Sequence, residues 1–279
     1  MKNRVFKLIV GIITITMGLA LVTGCSKTST GDVKIVKIGT KTDDPEIWDA
    51  LNDKLKDENI QVQIVNFSTT NPNEALANKE IDLNAFQHYM YFNKNKSDLN
   101  LDITSIGDMF IFPLDLYSKK VKSVAQLTKG AKIGVPNDPT NIGKSLNVLQ
   151  EAGLIKLKDG VGLLPEFTDI TSNPLNLQFV ELDSSQIVRS LDDLDAGIVF
   201  TKNAVEGGLD PETDPIYHDK IDITDPKDHD YINLIAARTE DKDNETYKKV
   251  VEAFHSDEVA QAILKQYKGA AIPAFDYTK

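Results

Sequence analysis

Cysteine is nearly absent: Cys25 is the only one in 279 residues. That excludes a disulfide framework and any metal site built on several thiolates. Histidine is scarce too. His88, His218, His229 and His255 are the whole set, and none is paired at metal-ligand spacing. Basic residues number 31 against 42 acidic ones, for a formal charge of −11, which argues against nucleic acid and against general adhesion to anionic lipid. Beyond the first two dozen residues no stretch is apolar enough to span a bilayer. The chain has no short-period repeat, which argues against a surface adhesin, and no G-x-S-x-G elbow. A secreted hydrolase using His88 is the alternative of another class, but nothing selects its serine partner. The carboxylate-rich stretches 222–230 and 240–245 lack the glycine and ligand spacing of a calcium loop. The expectation is a binder and not an enzyme, with no metal and no cofactor.

What is present begins at the N-terminus. Lys2, Arg4 and Lys7 precede an apolar run from Leu8 to Val22, and Val22-Thr23-Gly24-Cys25 follows. Positive charge, a short apolar core and small residues at a cleavage point make a signal peptide. An aliphatic residue, two small residues and Cys resemble a bacterial lipobox, in which Cys25 becomes the lipidated N-terminus. Residues 1–24 are thus predicted as a lipoprotein signal and 25–32 as the lipidated cysteine and its flexible tether. The body would sit at the extracytoplasmic face of the membrane and touch it through the lipid only.

The body alternates strand and helix signals. Val33–Gly39 is a β-branched run; Asp44 can cap a helix that Pro45 starts, with Ile47, Leu51 and Leu55 as its apolar stripe. Residues 60–65 alternate as a strand. Residues 131–135, 177–182, 196–200 and 231–237 read as further strands. Helices are predicted after PNDPTN (136–141), carrying Ile142, Leu146 and Leu149, around 185–191, and over 244–254 and 258–267. Gly153 suits a left-handed helix end. Strands separated by helices imply an α/β fold with parallel sheets, and the alternation runs twice, implying two lobes with a ligand cleft between them. The expected division is 33–118 plus 229–279 for lobe one and 119–228 for lobe two, with crossings at 118–124 and 223–230.

Three segments carry more: IDLNAFQHYMYF (81–92), IGVPNDPTNIGKSL (133–146) and 172–198. With the lipobox and the ending 253–273, they resemble the NlpA/MetQ family of ABC-transporter binding lipoproteins over about residues 33–275. The resemblance implies a two-lobed periplasmic-binding-protein-like fold and a monomer that hands a small amino-acid-like ligand to an ABC permease and its ATPase. It also implies methionine or a related amino acid as ligand, with a methionine-containing dipeptide or another zwitterion as the alternative.

In FQHYMYF, aromatic walls would suit a thioether. Read as the start of a helix, the segment presents two sides, and the resemblance places Phe86, His88 and Tyr91 in the cleft. NDPTN sits between a strand and a helix whose N-terminus can seat a carboxylate; Asn141 and Lys144 are its candidates. The GKS triplet is no P-loop, because Asp138 stands where the loop needs glycine. The family pattern has Arg at the place of Lys144, and an asparagine-rich turn where this chain reads Phe200-Thr201-Lys202-Asn203. Lys144 keeps the charge without the planar fork, Phe200 cannot hydrogen-bond a zwitterion, and Asn203 is the remaining candidate there. Thr40 and Asp43 are candidates, with Trp48, which reads equally as a core residue or as the wall of a side pocket, because the loop after the first strand lies where open α/β sheets collect ligands.

Overall fold

The computed structural model describes residues 32–67 and 69–278. The predicted signal, Cys25 and most of the tether lie outside the described residues. Among those described, no helix is long and apolar enough to cross a membrane.

Two five-stranded sheets organise the chain. In the first, the order is Ile60–Asn66, Lys34–Thr40, Leu83–His88, Asn233–Arg238 and Ile103–Asp108. In the second it is Gln178–Leu182, Lys132–Pro136, Ala196–Phe200, Leu114–Tyr117 and Pro215–Tyr217. The first three strands of each sheet run parallel. The other pairings are antiparallel, so both sheets are mixed where purely parallel ones were expected. The reason lies in connectivity. Leu114–Tyr117 enters the second sheet directly from the first, without the helical crossover that a parallel neighbour requires.

The first crossing therefore falls at 112–113, ahead of the basic stretch at 118–124. That stretch belongs wholly to the second sheet's side. Ser118 Oγ donates to Asp195 O at 2.7 Å, and Lys119 pairs with Asp192 at 2.9 Å. The return runs through 218–232, which contains the polar stretch 223–230. A two-stranded ribbon, Phe110–Ile111 with Ile272–Pro273, braces the first crossing from the chain's C-terminal end.

Apolar periodicity built the helices as expected. Ile47, Leu51 and Leu55 of the Pro45–Leu55 helix are each almost fully buried, which is worth about 2 kcal/mol per side chain. They join the core beneath the first sheet together with Val250, Phe254, Val259 and Ile263 of the two C-terminal helices. Asp44 does not cap this helix with its side chain. Its oxygens instead accept from Tyr267 Oη at 2.5 Å and Thr42 Oγ1 at 2.7 Å, because the C-terminal helices pack alongside. Under the second sheet lies a separate core around Leu116, Ile133, Leu146, Leu149 and Ile198. Gly134 and Gly197 are neighbours across its central strands. A Cβ on either would come within 2.6 Å of Leu194 or Ile187, so the two glycines let the Ser184–Ser190 helix lie close on the sheet. That seat fixes where residues 183–185 face.

Candidate functional site

Five of the six parallel strands, all but Ile60–Asn66, end at one cleft of about 520 Å³ between the two sheets, within the range of roughly 300–1,000 Å³ that holds small molecules. From the first sheet come Lys41 and Thr42, just past Lys34–Thr40, and Phe86, Gln87 and His88, which end Leu83–His88. From the second come Asn137 and Asp138, then Asp183 and Ser184, then Phe200 and Lys202, each at or just beyond a strand's carboxyl end. This is where open α/β sheets collect ligands, because successive helix N-termini and loops converge there.

The FQHYMYF segment divides differently from the helical reading. Phe86 to His88 are strand, and the helix begins at Tyr89 with His88 as its N-cap. Phe86, Gln87 and His88 reach the cleft as the last residues of the strand, and Tyr91 reaches it from the first turn of the helix. The His88 ring then serves both lobes. Its Nδ1 accepts from Tyr91 N–H at 3.1 Å, which requires the proton to sit on Nε2, and Nε2 donates to Asn141 Oδ1 at 3.1 Å. Asn141 Nδ2 in turn donates to Asp138 Oδ2 at 2.8 Å. Burial pushes His88 down to about 4, against weaker opposing pulls from Asn141 and Asp138, so the ring is neutral in this arrangement.

An aromatic wall surrounds it. Phe86 meets Tyr91 edge-on at 6.2 Å, and Tyr231 meets His88 at 5.5 Å. The charged lining balances: Lys41, Lys144 and Lys202 stand against Asp138, Asp183 and Glu206. Such a lining suits a zwitterion better than a net anion or cation. The Asp183 carboxyl is held below the usual range by hydrogen bonds from the Ser185 hydroxyl and N–H.

Six of the predicted residues line the cleft: Phe86, His88, Tyr91, Asn141, Lys144 and Asn203. Their hydrogen bonding is not what the sequence suggested. Asp138 accepts from Asn141 N–H at 3.0 Å, so this carboxylate already occupies part of the helix N-terminus predicted to seat a ligand anion. Lys144 is buried and ion-paired with Asp219 at 3.0 Å. Asn203 Nδ2 donates to Ser184 O at 2.9 Å. Trp48 and Thr40 are corrections. Trp48 is in the first core, 6.2 Å from the Phe254 ring, and Thr40 Oγ1 turns to Thr42 O at 2.7 Å. Neither lines the cleft, nor does Asp43; their neighbours Lys41 and Thr42 do. Among the residues the sequence reading missed, Asp183 was within reach, since it directly follows a predicted strand. Tyr231 was not, because the return crossing alone delivers it.

Two mixed sheets, two crossings and a cleft at the strands' carboxyl ends define a two-lobed binding protein of the periplasmic type. The chain belongs to the NlpA lipoprotein family, whose model matches residues 36–275. It is 45% identical over 216 residues to the D-methionine-binding lipoprotein MetQ of Yersinia pestis, covering 76% of this chain and 78% of that protein. The MetQ of Escherichia coli strain K12 is 40% identical over 272 residues, covering 96% and 97% of the two chains. A nutrient-binding protein from Burkholderia cenocepacia, solved bound to methionine, superposes with a TM-score of 0.79 at 38% identity, covering 86% of this chain and all of that one.

Proposed function

We propose that the protein is the extracytoplasmic solute-binding component of an ABC importer and takes methionine, or a closely related amino acid, into the cleft. The observation that carries this reading is the lining itself, an aromatic wall beside a charge-balanced polar set. Sulfur packs favourably against the edges and faces of rings, so the wall formed by Phe86, Tyr91 and Tyr231 suits a thioether side chain. The lysines and carboxylates suit the two charges of the amino-acid end. Relatives named for D-methionine binding and a methionine-bound structural neighbour support the same ligand.

In this reading Cys25 carries the lipid, the body is a monomer, and hinge motion at the two crossings closes the lobes over the ligand. The closed form docks on the permease. The protein binds and releases its solute without altering it.

The test is direct. The full chain is purified in detergent, denatured, and its released small molecules are identified by mass spectrometry; titration with D- and L-methionine follows. Methionine in the released fraction, or saturable binding of either enantiomer, is the expected result. Recovery of an unrelated solute, with no binding of either, overturns the ligand.

A further inference from the structure

We propose that Asp219 is a specificity-determining residue for the carboxylate end of the ligand, a resident anion that tempers the charge Lys144 offers. The proposal rests on the amino-acid reading above. Lys144 stands in the second turn of the Pro139–Glu151 helix, lines the cleft and is only 4% exposed. Its Nζ lies 3.0 Å from Asp219 Oδ2 and 4.5 Å from the centre of the Tyr231 ring. Asp219 pairs with the ammonium's charge, and among the described residues no other acceptor meets its three N–H groups. Buried donors without acceptors are costly. At a cleft wall they favour an arriving anionic oxygen.

Asp219 is held in place. Its Oδ2 also accepts from Leu114 N–H at 3.0 Å, at the first crossing, and its own N–H donates to Asp115 Oδ1 at 2.8 Å. Of the other ionisable groups around Lys144, His88 and Asp228 are near enough to feel its charge, but Asp219 is the one in contact. A ligand carboxylate reaching Lys144 therefore meets attraction and repulsion side by side, while a neutral carboxamide in the same place meets little of either. Asp219 thus weakens the preference for acid over amide that Lys144 alone would impose.

The experiment titrates L-methionine and L-methioninamide into the full chain. In Asp219→Asn, whose amide oxygen still serves Leu114 N–H, the ratio of amide to acid Kd should rise about tenfold, as expected for removing one like charge nearby. In Lys144→Gln, which leaves Asp219 unbalanced, the ratio should invert, with the amide bound more tightly. A ratio in Asp219→Asn equal to or below that of the wild type, in a protein that melts cooperatively, overturns the assignment. So does a Lys144→Gln protein that still prefers the acid, and this arm decides the matter if Asp219→Asn does not fold. Wild-type protein that binds neither ligand defeats the amino-acid reading itself, visibly and before any variant is made, and the role of Asp219 falls with it.

Discussion

His88 Nε2 lies 3.1 Å from Asn141 Oδ1, and this one hydrogen bond joins the last residue of a strand in the first sheet to the first turn of a helix packed on the second. Both side chains are more than nine-tenths buried. The bond is directional because both ends are fixed: Tyr91 N–H holds the His88 tautomer, and Asp138 holds the Asn141 amide.

Asn141→Leu removes the acceptor and leaves a buried N–H unsatisfied. The expected cost is about 1–3 kcal/mol, read from urea unfolding. The lobes should also part more readily in the absence of ligand, which X-ray scattering would register as a larger radius of gyration. Unchanged stability and size would show that the bond does not hold the lobes together.

The same histidine predicts an acid sensitivity. Its folded value is lowered to about 4 from 6.5, so its contribution to stability is complete above pH 6.5 and is lost as pH falls toward 4, where the unfolded chain binds a proton that the folded one resists. The full effect corresponds to about 3 kcal/mol. Between pH 7 and pH 4.5 the wild type should lose more stability than His88→Gln, whose amide can donate but does not titrate. Parallel pH profiles would remove His88 as the cause.

Trp48 and Phe86 should separate folding from binding. Trp48→Ala empties a core position and should cost about 3–5 kcal/mol while leaving ligand affinity unchanged under conditions where the variant is folded. Phe86→Ala, at the cleft wall, should do the reverse: raise Kd and shift the melting temperature little. A raised Kd in Trp48→Ala would return the indole to the site.

Gly143 is a tight contact between the Pro139–Glu151 helix and the loop before Glu166. A Cβ there would lie 2.8 Å from Leu163 O and 3.0 Å from Leu164 Cα, backbone atoms that cannot swing aside. Leu163 O also accepts from Tyr231 Oη at 3.1 Å, so displacing the loop disturbs the ring that faces both His88 and Lys144. Gly143→Ala should destabilise by about 1–3 kcal/mol and weaken ligand binding as well. A loss of stability alone would confine the effect to the loop.

The elements were legible where a local rule was sufficient. Ile142, Leu146 and Leu149 do lie along one helix, Pro139–Glu151, as their spacing requires. Gly153 does take a positive φ of 74°. Phe86, His88, Tyr91, Asn141, Lys144 and Asn203 could be placed at the cleft wall from the sequence, where they do stand, because they sit in motifs near strand ends. Trp48 stayed open between core and pocket wall for a reason particular to helices: the residue one turn in can face either the sheet or the loop, and packing against Phe254 chose the sheet side.

By itself, then, the sequence determined the alternation of strands and helices, the doubling of that alternation, and the family, since these follow from periodicity, capping and motif order along the chain. Only the tertiary structure decided the direction of the crossing strands, which depends on where the chain changes sheets, and the partners of the polar side chains. Lys144 meets Asp219 across 75 residues, and His88 meets Asn141 across 53. A buried charge or amide must find its complement wherever the fold brings one within reach, and sequence separation carries no record of that distance.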